Sequence, residues 1–521
     1  MHLGNHYPAG LTAFLLAIAL LWLIPAAVTP VPPARADTSS FLRVHPDNPH
    51  YLQYGGEPFL IVTSAEHYGS VLNRDFDYRR YLDTLADDGL NMTRVFAGTY
   101  VEHPGFFGLP ANDPLSPAPG RFLAPWLRSA TPGYAGGGNK FDLGRFDPEF
   151  FARLKDFLRY AEAKGIVVEL VLFCGAYDDN LFEIFPFHPQ NNVQALGHGE
   201  LAETAWYWTT DRGRNPFLDV QEALVREIVR ELRDHPNVYY EIMNEPWLSS
   251  QVKANDRVGH DDIYAWQSWV VGVIVDEESS FENKHLIAEG RHATAYDFYP
   301  LHPATSIVTF HYMFFDTAYR DHPEAWHAPT EWDRWSKLGR VIVNDETGQN
   351  GPDDRPYRQE AWETVLNGGH INNLDLSFLT DDPAGSRRPT THTGGGPELR
   401  SQLKVLKDFI HSFDFVRMAP RDDLIVAGDD PERKIRVRCF AEEGRQYAVA
   451  VLDKGGEGAS GVALRIAPGE YDFSWVDTKD GSVVARGRFT QAGPEATAFD
   501  VPAYEEDIAL AIRAVGLDPA S

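Results

Sequence analysis

Two acidic segments of this 521-residue chain carry the residue types needed for acid–base chemistry. The first reads Tyr239-Tyr240-Glu241-Ile242-Met243-Asn244-Glu245-Pro246-Trp247, an apolar run closed by an Asn, a carboxylate and a proline. The second reads Val341-Ile342-Val343-Asn344-Asp345-Glu346-Thr347-Gly348 and again ends in acids. Two carboxyl groups facing each other can cleave a glycosidic bond. One protonates the departing oxygen, and the other attacks or stabilises the electron-poor carbon. Competing chemistries find no support. The chain has no G-x-S-x-G elbow, no H-E-x-x-H pair and no Walker loop, and its 19 histidines are scattered. Gly136-Gly137-Gly138 and Gly394-Gly395-Gly396 lie in polar loops and read as loop glycines, not as a phosphate cradle. No metal and no cofactor is expected.

Such a pair works only if the fold brings the two segments together. Short apolar, β-branched runs recur eight times: 58–63, 91–97, 166–173, 238–244, 285–289, 307–312, 341–345 and 372–378. Helical patterns fall between them at 78–88, 148–164, 218–234, 263–276 and 358–366. In the third, Phe217-Leu218, Val220, Ala223-Leu224, Ile228-Val229 and Leu232 keep one apolar face at spacings of three and four. Eight strand–helix units predict an α/β fold of the (β/α)8 TIM-barrel type. Strands four and seven then lie across the barrel mouth from each other, so Glu245 and Glu346 can meet. Two insertions after strand ends, 98–144 and 175–216, hold Tyr100, Phe106, Phe107, Trp126, Tyr134, Tyr177, Phe185, Phe187, Trp206 and Trp208. These aromatics either wall a cleft or pack the loops onto the barrel.

From Leu424 onward the period changes to seven short strands split by turns such as Lys454-Gly455-Gly456, which predicts a small all-β sandwich. Three parts are expected: a signal peptide over 1–36, the barrel over 37–419 and the sandwich over 420–521. The leader reading comes from the apolar run Leu11–Ile24 followed by Ala34-Arg35-Ala36, with small residues where cleavage would fall. No Lys or Arg precedes the run, and an uncleaved anchor is the alternative. The run is shorter than the roughly 20 residues a span needs. A secreted or periplasmic protein with no membrane span after cleavage is expected. Against 47 Lys+Arg stand 75 Asp+Glu, a net charge of −28. That balance disfavours nucleic acid and other polyanions as partners and suits a neutral ligand. Cys174 and Cys439 fall in different predicted domains and read as buried thiols.

With these residues placed, the stretch from Phe41 to Phe413 resembles the retaining glycoside hydrolases of clan A, including family 5 cellulases and mannanases. The resemblance is carried by Asn244-Glu245-Pro246 on strand four and Glu346 on strand seven. Arg94 on strand two and His311-Tyr312 on strand six support it. It implies Glu245 as general acid/base with a raised pKa, Glu346 as nucleophile, Asn244 beside the substrate's 2-hydroxyl and Arg94 near Glu346. Glu241 and Asp345 are expected to face away from the site, although a one-residue slip would make Asp345 the nucleophile. Family 5 separates its strand-six His and Tyr by one residue; here they are adjacent, so their roles stay open. The Trp that usually ends strand eight is missing, with Phe378 or the Asp381-Asp382 turn in its place. Further substrate contacts are expected from His67, within Glu66-His67-Tyr68, and from Trp247.

The implied activity is retaining hydrolysis of β-glycosidic bonds in a neutral oligosaccharide or polysaccharide, endo-β-glucanase-like. An exo-acting enzyme with the same residues and a non-catalytic carbohydrate-binding barrel are the alternatives. The sandwich resembles accessory β-domains, and it is expected to brace the barrel through Phe413–Met418. The sequence leaves the oligomeric state open.

Overall fold

Eight parallel strands form the barrel of the computed structural model, which describes residues 40–199, 207–246, 257–291, 300–311, 337–347, 351–389, 393–430, 432–456 and 458–516. They are β1 (Val62–Ala65), β2 (Met92–Phe96), β3 (Val167–Cys174), β4 (Val238–Asn244), β5 (Ile287–Gly290), β6 (Ile307–His311), β7 (Val341–Thr347) and β8 (His370–Leu374). Backbone ladders run in the order β1-β8-β7-β6-β5-β4-β3-β2. Side chains close the β1–β2 seam. Asn91 accepts from the Val62 amide at 3.2 Å and donates to the Leu60 carbonyl at 2.7 Å, while Thr63 donates to the Met92 carbonyl.

Helices α1 (Tyr78–Asp87), α2 (Pro148–Ala163), α3 (Leu218–Leu232), α4 (Arg257–Glu277) and α5 (Asp354–Leu366) cover the five predicted stretches, α4 and α5 starting several residues earlier than expected, and α6 (Pro397–His411) follows β8. Asp147 caps α2 through the Glu149 amide and is followed by Pro148, a residue suited to the first helical turn. Among the described residues no helix is long and apolar enough to cross a membrane. The first predicted strand shifts by about half its length. Glu57–Phe59 belongs instead to a small antiparallel sheet with Arg43–Val44 and Leu52–Tyr54.

The barrel interior is layered because alternate residues of each strand point inward. Met92, Val167, Tyr239, Ile307 and Val343 form an apolar floor with Leu42 and Leu52 of the small sheet. Two residues further along the same strands stand Arg94, Glu169, Glu241, Thr309 and Asp345, all fully buried. A charged layer thus lies directly beneath the mouth.

The C-terminal strands are β9 (Ile435–Glu442), β10 (Gln446–Asp453), β11 (Gly461–Leu464), β12 (Gly469–Asp477), β13 (Val483–Gln491), β14 (Thr497–Asp500) and β15 (Asp507–Ala514). With the short strands Ala419–Pro420 and Ile425–Ala427 they make a six-stranded and a three-stranded antiparallel sheet. Strand β10 is buried along its whole length because both faces are covered. Val449 and Val451 belong to the core between the sheets, whereas Ala448, Ala450 and Leu452 join the barrel's core. Trp475 and Tyr471 are buried in the inter-sheet core and offer no sugar platform.

The β-sheets dock on α5 as well as on the segment after α6. Arg358 makes paired contacts of 3.0 and 2.9 Å to the Asp507 carboxylate, and Arg438 donates to Glu363 at 2.6 Å. Burial alone would raise the Glu363 pKa, but the Arg438, Lys454 and Arg436 charges outweigh it and hold the carboxyl at about 2. A depressed carboxylate pKa gives stability that is present above the unfolded value and lost as pH falls through the folded one. Glu363 should therefore contribute about 3 kcal/mol near neutral pH, lost between roughly pH 4.5 and 2. Urea midpoints measured across that range should fall less steeply for Glu363→Gln than for wild type. Parallel curves would refute the linkage.

Candidate active site

Strand β4 ends at Asn244, and the next residue, Glu245, takes a left-handed backbone (φ 43°) that few non-glycine residues adopt. This turn carries its carboxylate over the mouth. Strand β7 delivers Glu346 by a different device. Phe310 pairs with Asn344 and His311 with Glu346, so Asp345 is an extra residue in the ladder. The same stretch is irregular against β8. Such a bulge breaks the strict alternation of side chains. Asp345 and Glu346 consequently both face inward, at different depths.

His311 sits between the two candidate catalytic acids. Its Nδ1 lies 3.1 Å from Glu245 Oε1 and 3.7 Å from Glu346 Oε2. One carboxylate oxygen from each acid and a ring nitrogen of His311 all lie within 4.8 Å of one another. The Tyr177 hydroxyl donates to Glu245 Oε2 at 2.7 Å, and the Tyr68 hydroxyl donates to Glu346 Oε2 at 3.0 Å. Tyr68 also has a left-handed backbone (φ 50°). Both acids are buried, at 6% and 7% exposure.

This environment corrects the expected titration of Glu245. Burial does push its pKa up, but the His311 hydrogen bond and charge, with the Tyr177 hydrogen bond, outweigh it and hold the carboxyl below its usual range. His311 moves the other way. Burial disfavours its charged form, yet the Glu346 charge and the Glu245 contact raise it above the ordinary imidazole value. The resting proton of the pair therefore sits on the imidazole, one hydrogen bond away from Glu245.

The orientation expected for Glu241 and Asp345 is also overturned. Glu241 stands two residues beyond Tyr239 of the apolar floor and so shares its inward face, while the bulge turns Asp345 inward. Both pair with Arg94, which bonds Glu241 through Nη2 and approaches Asp345 Oδ2 at 2.8 Å through Nε. Glu169 Oε2 lies 3.6 Å from the same Nε. Burial, then the Asp345 and Glu241 charges, push the Glu169 pKa far above the carboxylate range. Arg94 reaches Glu346 only at 3.9 Å, and its closer contact in the site is Asn244 Oδ1 at 2.8 Å. Asn244 in turn donates to the Tyr177 hydroxyl at 2.7 Å. Arg94 thus anchors the layer under the site and reaches the nucleophile position from below.

Of the remaining candidates, His67 stands in a neighbouring cluster. Its Nδ1 bonds Asp113 at 2.8 Å and its Nε2 lies 3.4 Å from Glu102. Burial opposes its charge, but Glu102 and Asp113 raise it to about 10, while burial lifts Glu102 to about 7. Its two nitrogens thus face two different carboxylates. Glu66 is consumed by the loop, accepting from Ser70 and Gly69. Phe378 is buried against Tyr81 and Arg400, so it supplies no platform. Trp206, Trp247 and Tyr312 lie outside the described residues, as does the predicted leader.

Three participants escaped the sequence reading: Tyr68 as the partner of Glu346, Tyr177 as the partner of Glu245, and the Glu169–Glu241–Asp345 layer around Arg94. The layer was signalled by position, two residues beyond the apolar floor on each strand. The tyrosines carried no such signal, because they sit on loops that periodicity does not orient. Cys174 and Cys439 are free and buried; Cys174 borders the site, 3.5 Å from Asn244 Nδ2.

Known proteins add the following. No protein-family model matches the chain, and no curated protein matches it. Among solved structures it is similar to a glycoside hydrolase family 5 structure from Bacteroides vulgatus ATCC 8482, with 17% identity and a TM-score of 0.57. That likeness covers 92% of this chain and 95% of the other. It is similar also to a structure described as a glycoside hydrolase, with 16% identity, a TM-score of 0.56, and 92% and 98% of the two chains covered. The fold is thus that of these structures, a (β/α)8 barrel followed by antiparallel sheets.

Proposed function

We propose that this chain is a retaining glycoside hydrolase acting on β-linkages of a neutral oligosaccharide or polysaccharide, with Glu346 as nucleophile and Glu245 as acid/base. One observation carries this: the two carboxylates meet across His311 with an oxygen of each within 4.8 Å. Retaining enzymes need their carboxyls about 5–5.5 Å apart, whereas inverting ones leave about 6.5–9.5 Å for a water. The Tyr68 hydrogen bond holds Oε2 of Glu346, and the carboxylate so oriented attacks the anomeric carbon. The bond to the leaving oxygen breaks as Glu245 protonates it, the proton having crossed the 3.1 Å contact from His311. Glu245 then takes a proton from water, whose oxygen displaces Glu346 from the glycosyl–enzyme intermediate. The family 5 likeness of the fold supports the same reading. The 14-residue apolar run and following Ala-Arg-Ala support export of the protein.

The test is a panel of defined neutral oligosaccharides, with products followed by NMR from the first turnover. Release of a product with the substrate's anomeric configuration is expected. Inverted product, or no cleavage of any member, would overturn the proposal. The panel also separates endo from exo action and names the linkage.

The shared proton predicts a pH profile. Loss of that proton removes the acid, so kcat/KM should fall on its basic side with a midpoint above about 6.5, the ordinary imidazole value. A midpoint in the ordinary carboxylate range, about 4.3, would mean that His311 does not supply Glu245.

A further inference from the structure

The aromatic residues of the two insertions are almost all consumed by packing. Tyr100, Trp126, Tyr134, Phe185, Phe187 and Trp208 are each buried. Among the described aromatics of the insertions Phe107 is the exposed one, with Phe106 and Tyr177 partly buried. It is 46% exposed, and its backbone is left-handed (φ 52°, ψ 19°) between Gly105 and Gly108, which also have positive φ. A bulky residue held in that region costs on the order of 1–3 kcal/mol, and burying its ring would have gained a comparable amount. Neither local conformation nor core packing accounts for a phenylalanine there.

Its neighbours suggest what does. The Phe107 ring rests on Phe106 at 4.2 Å and meets Tyr177 edge-on at 6.0 Å. Tyr177 is the residue that donates to Glu245. Phe107 is thereby tied to the acid/base side of the mouth, while the nucleophile side is held by Tyr68 and Arg94. In glycosidic cleavage the acid/base faces the leaving group. An exposed aromatic face beside it matches the flat C–H face of a pyranose ring.

We propose that Phe107 is the platform for the leaving-group sugar: a subsite for a neutral pyranose on the Glu245 side, with the backbone turn at 105–108 presenting the ring to it. This rests on the glycosidase reading and adds to it where the departing half of the substrate binds.

The experiment compares Phe107→Ala and Phe107→Trp with wild type on two substrates sharing one glycone. One is an oligosaccharide that wild type cleaves; the other is the corresponding glycosyl fluoride, whose leaving group has no ring. Phe107→Ala should raise KM for the oligosaccharide about 3- to 10-fold, the range expected for one aromatic contact. It should leave the fluoride's kcat and KM unchanged, and Phe107→Trp should restore the oligosaccharide KM. Thermal unfolding should show the Ala variant still cooperatively folded, so that a change in KM is not a folding defect. An unchanged oligosaccharide KM, or equal losses on both substrates, would overturn the platform while leaving the glycosidase reading intact. A wild type silent on both substrates would overturn that reading and the platform together.

Discussion

Glu346→Ala is expected to lower kcat by about 10⁴-fold or more, with the variant still folded. The nucleophile forms the covalent intermediate, so its loss removes the first chemical step and not merely its efficiency. Glu245→Ala should cost about 10²- to 10⁴-fold on substrates with poor leaving groups, the usual contribution of a positioned acid. It should cost little in the first step for a substrate whose leaving group needs no proton. Azide separates the two roles. It should rescue Glu245→Ala with a glycosyl azide that keeps the substrate's configuration, because it attacks the intermediate from the vacated acid/base side. With Glu346→Ala it enters from the opposite face and should give the inverted azide. Identical azide products, or a Glu346→Ala variant at full activity with Asp345→Asn inactive, would reassign the nucleophile.

Arg94→Met should destabilise the fold by about 3–5 kcal/mol, the cost of stripping a buried charge network of its partner. Glu169, Glu241 and Asp345 surround this one guanidinium, and all are completely buried. Without it, burial and mutual repulsion must protonate the carboxyls or open the barrel. Arg94→Lys should not rescue function, because an ammonium cannot bridge Asp345 from Nε and Glu241 from Nη2 together. Urea denaturation should show a clear drop in midpoint for Arg94→Met. Adding Glu241→Gln should recover part of it, since one uncompensated charge is then gone. A midpoint equal to that of wild type would mean that the layer is not held by this ion-pair set.

Much of the site was legible because its signals are local. Asn244-Glu245-Pro246 sits at a strand end that hydrophobic pattern alone defines, and Val238–Asn244 is a strand with the predicted bounds. The acids of β7 were equally plain. Their roles were harder to divide, because regular alternation would expose only one of Asp345 and Glu346 to the barrel interior. The bulge that admits both comes from the pairing of β7 with β6 and β8, which no single strand records. The error on Glu241 is different in kind. Counting by twos from Tyr239 of the apolar floor places it inward, so strand periodicity already held the answer.

Strand and helix periods, and the acids at the ends of β4 and β7, were determined by the sequence alone, since they depend on spacing along one chain. Tertiary structure decided which groups surround those acids. Tyr68 and Tyr177 reach Glu346 and Glu245 from loops after other strands, and their orientation depends on loop closure and packing. The protonation of Glu245 was decided there as well. Burial favours a neutral acid, and the placement of the His311 ring, with the Tyr177 hydrogen bond and the Arg94 charge, reverses that balance. A pKa is set by distances between groups far apart in the chain, and these exist only once the barrel has closed.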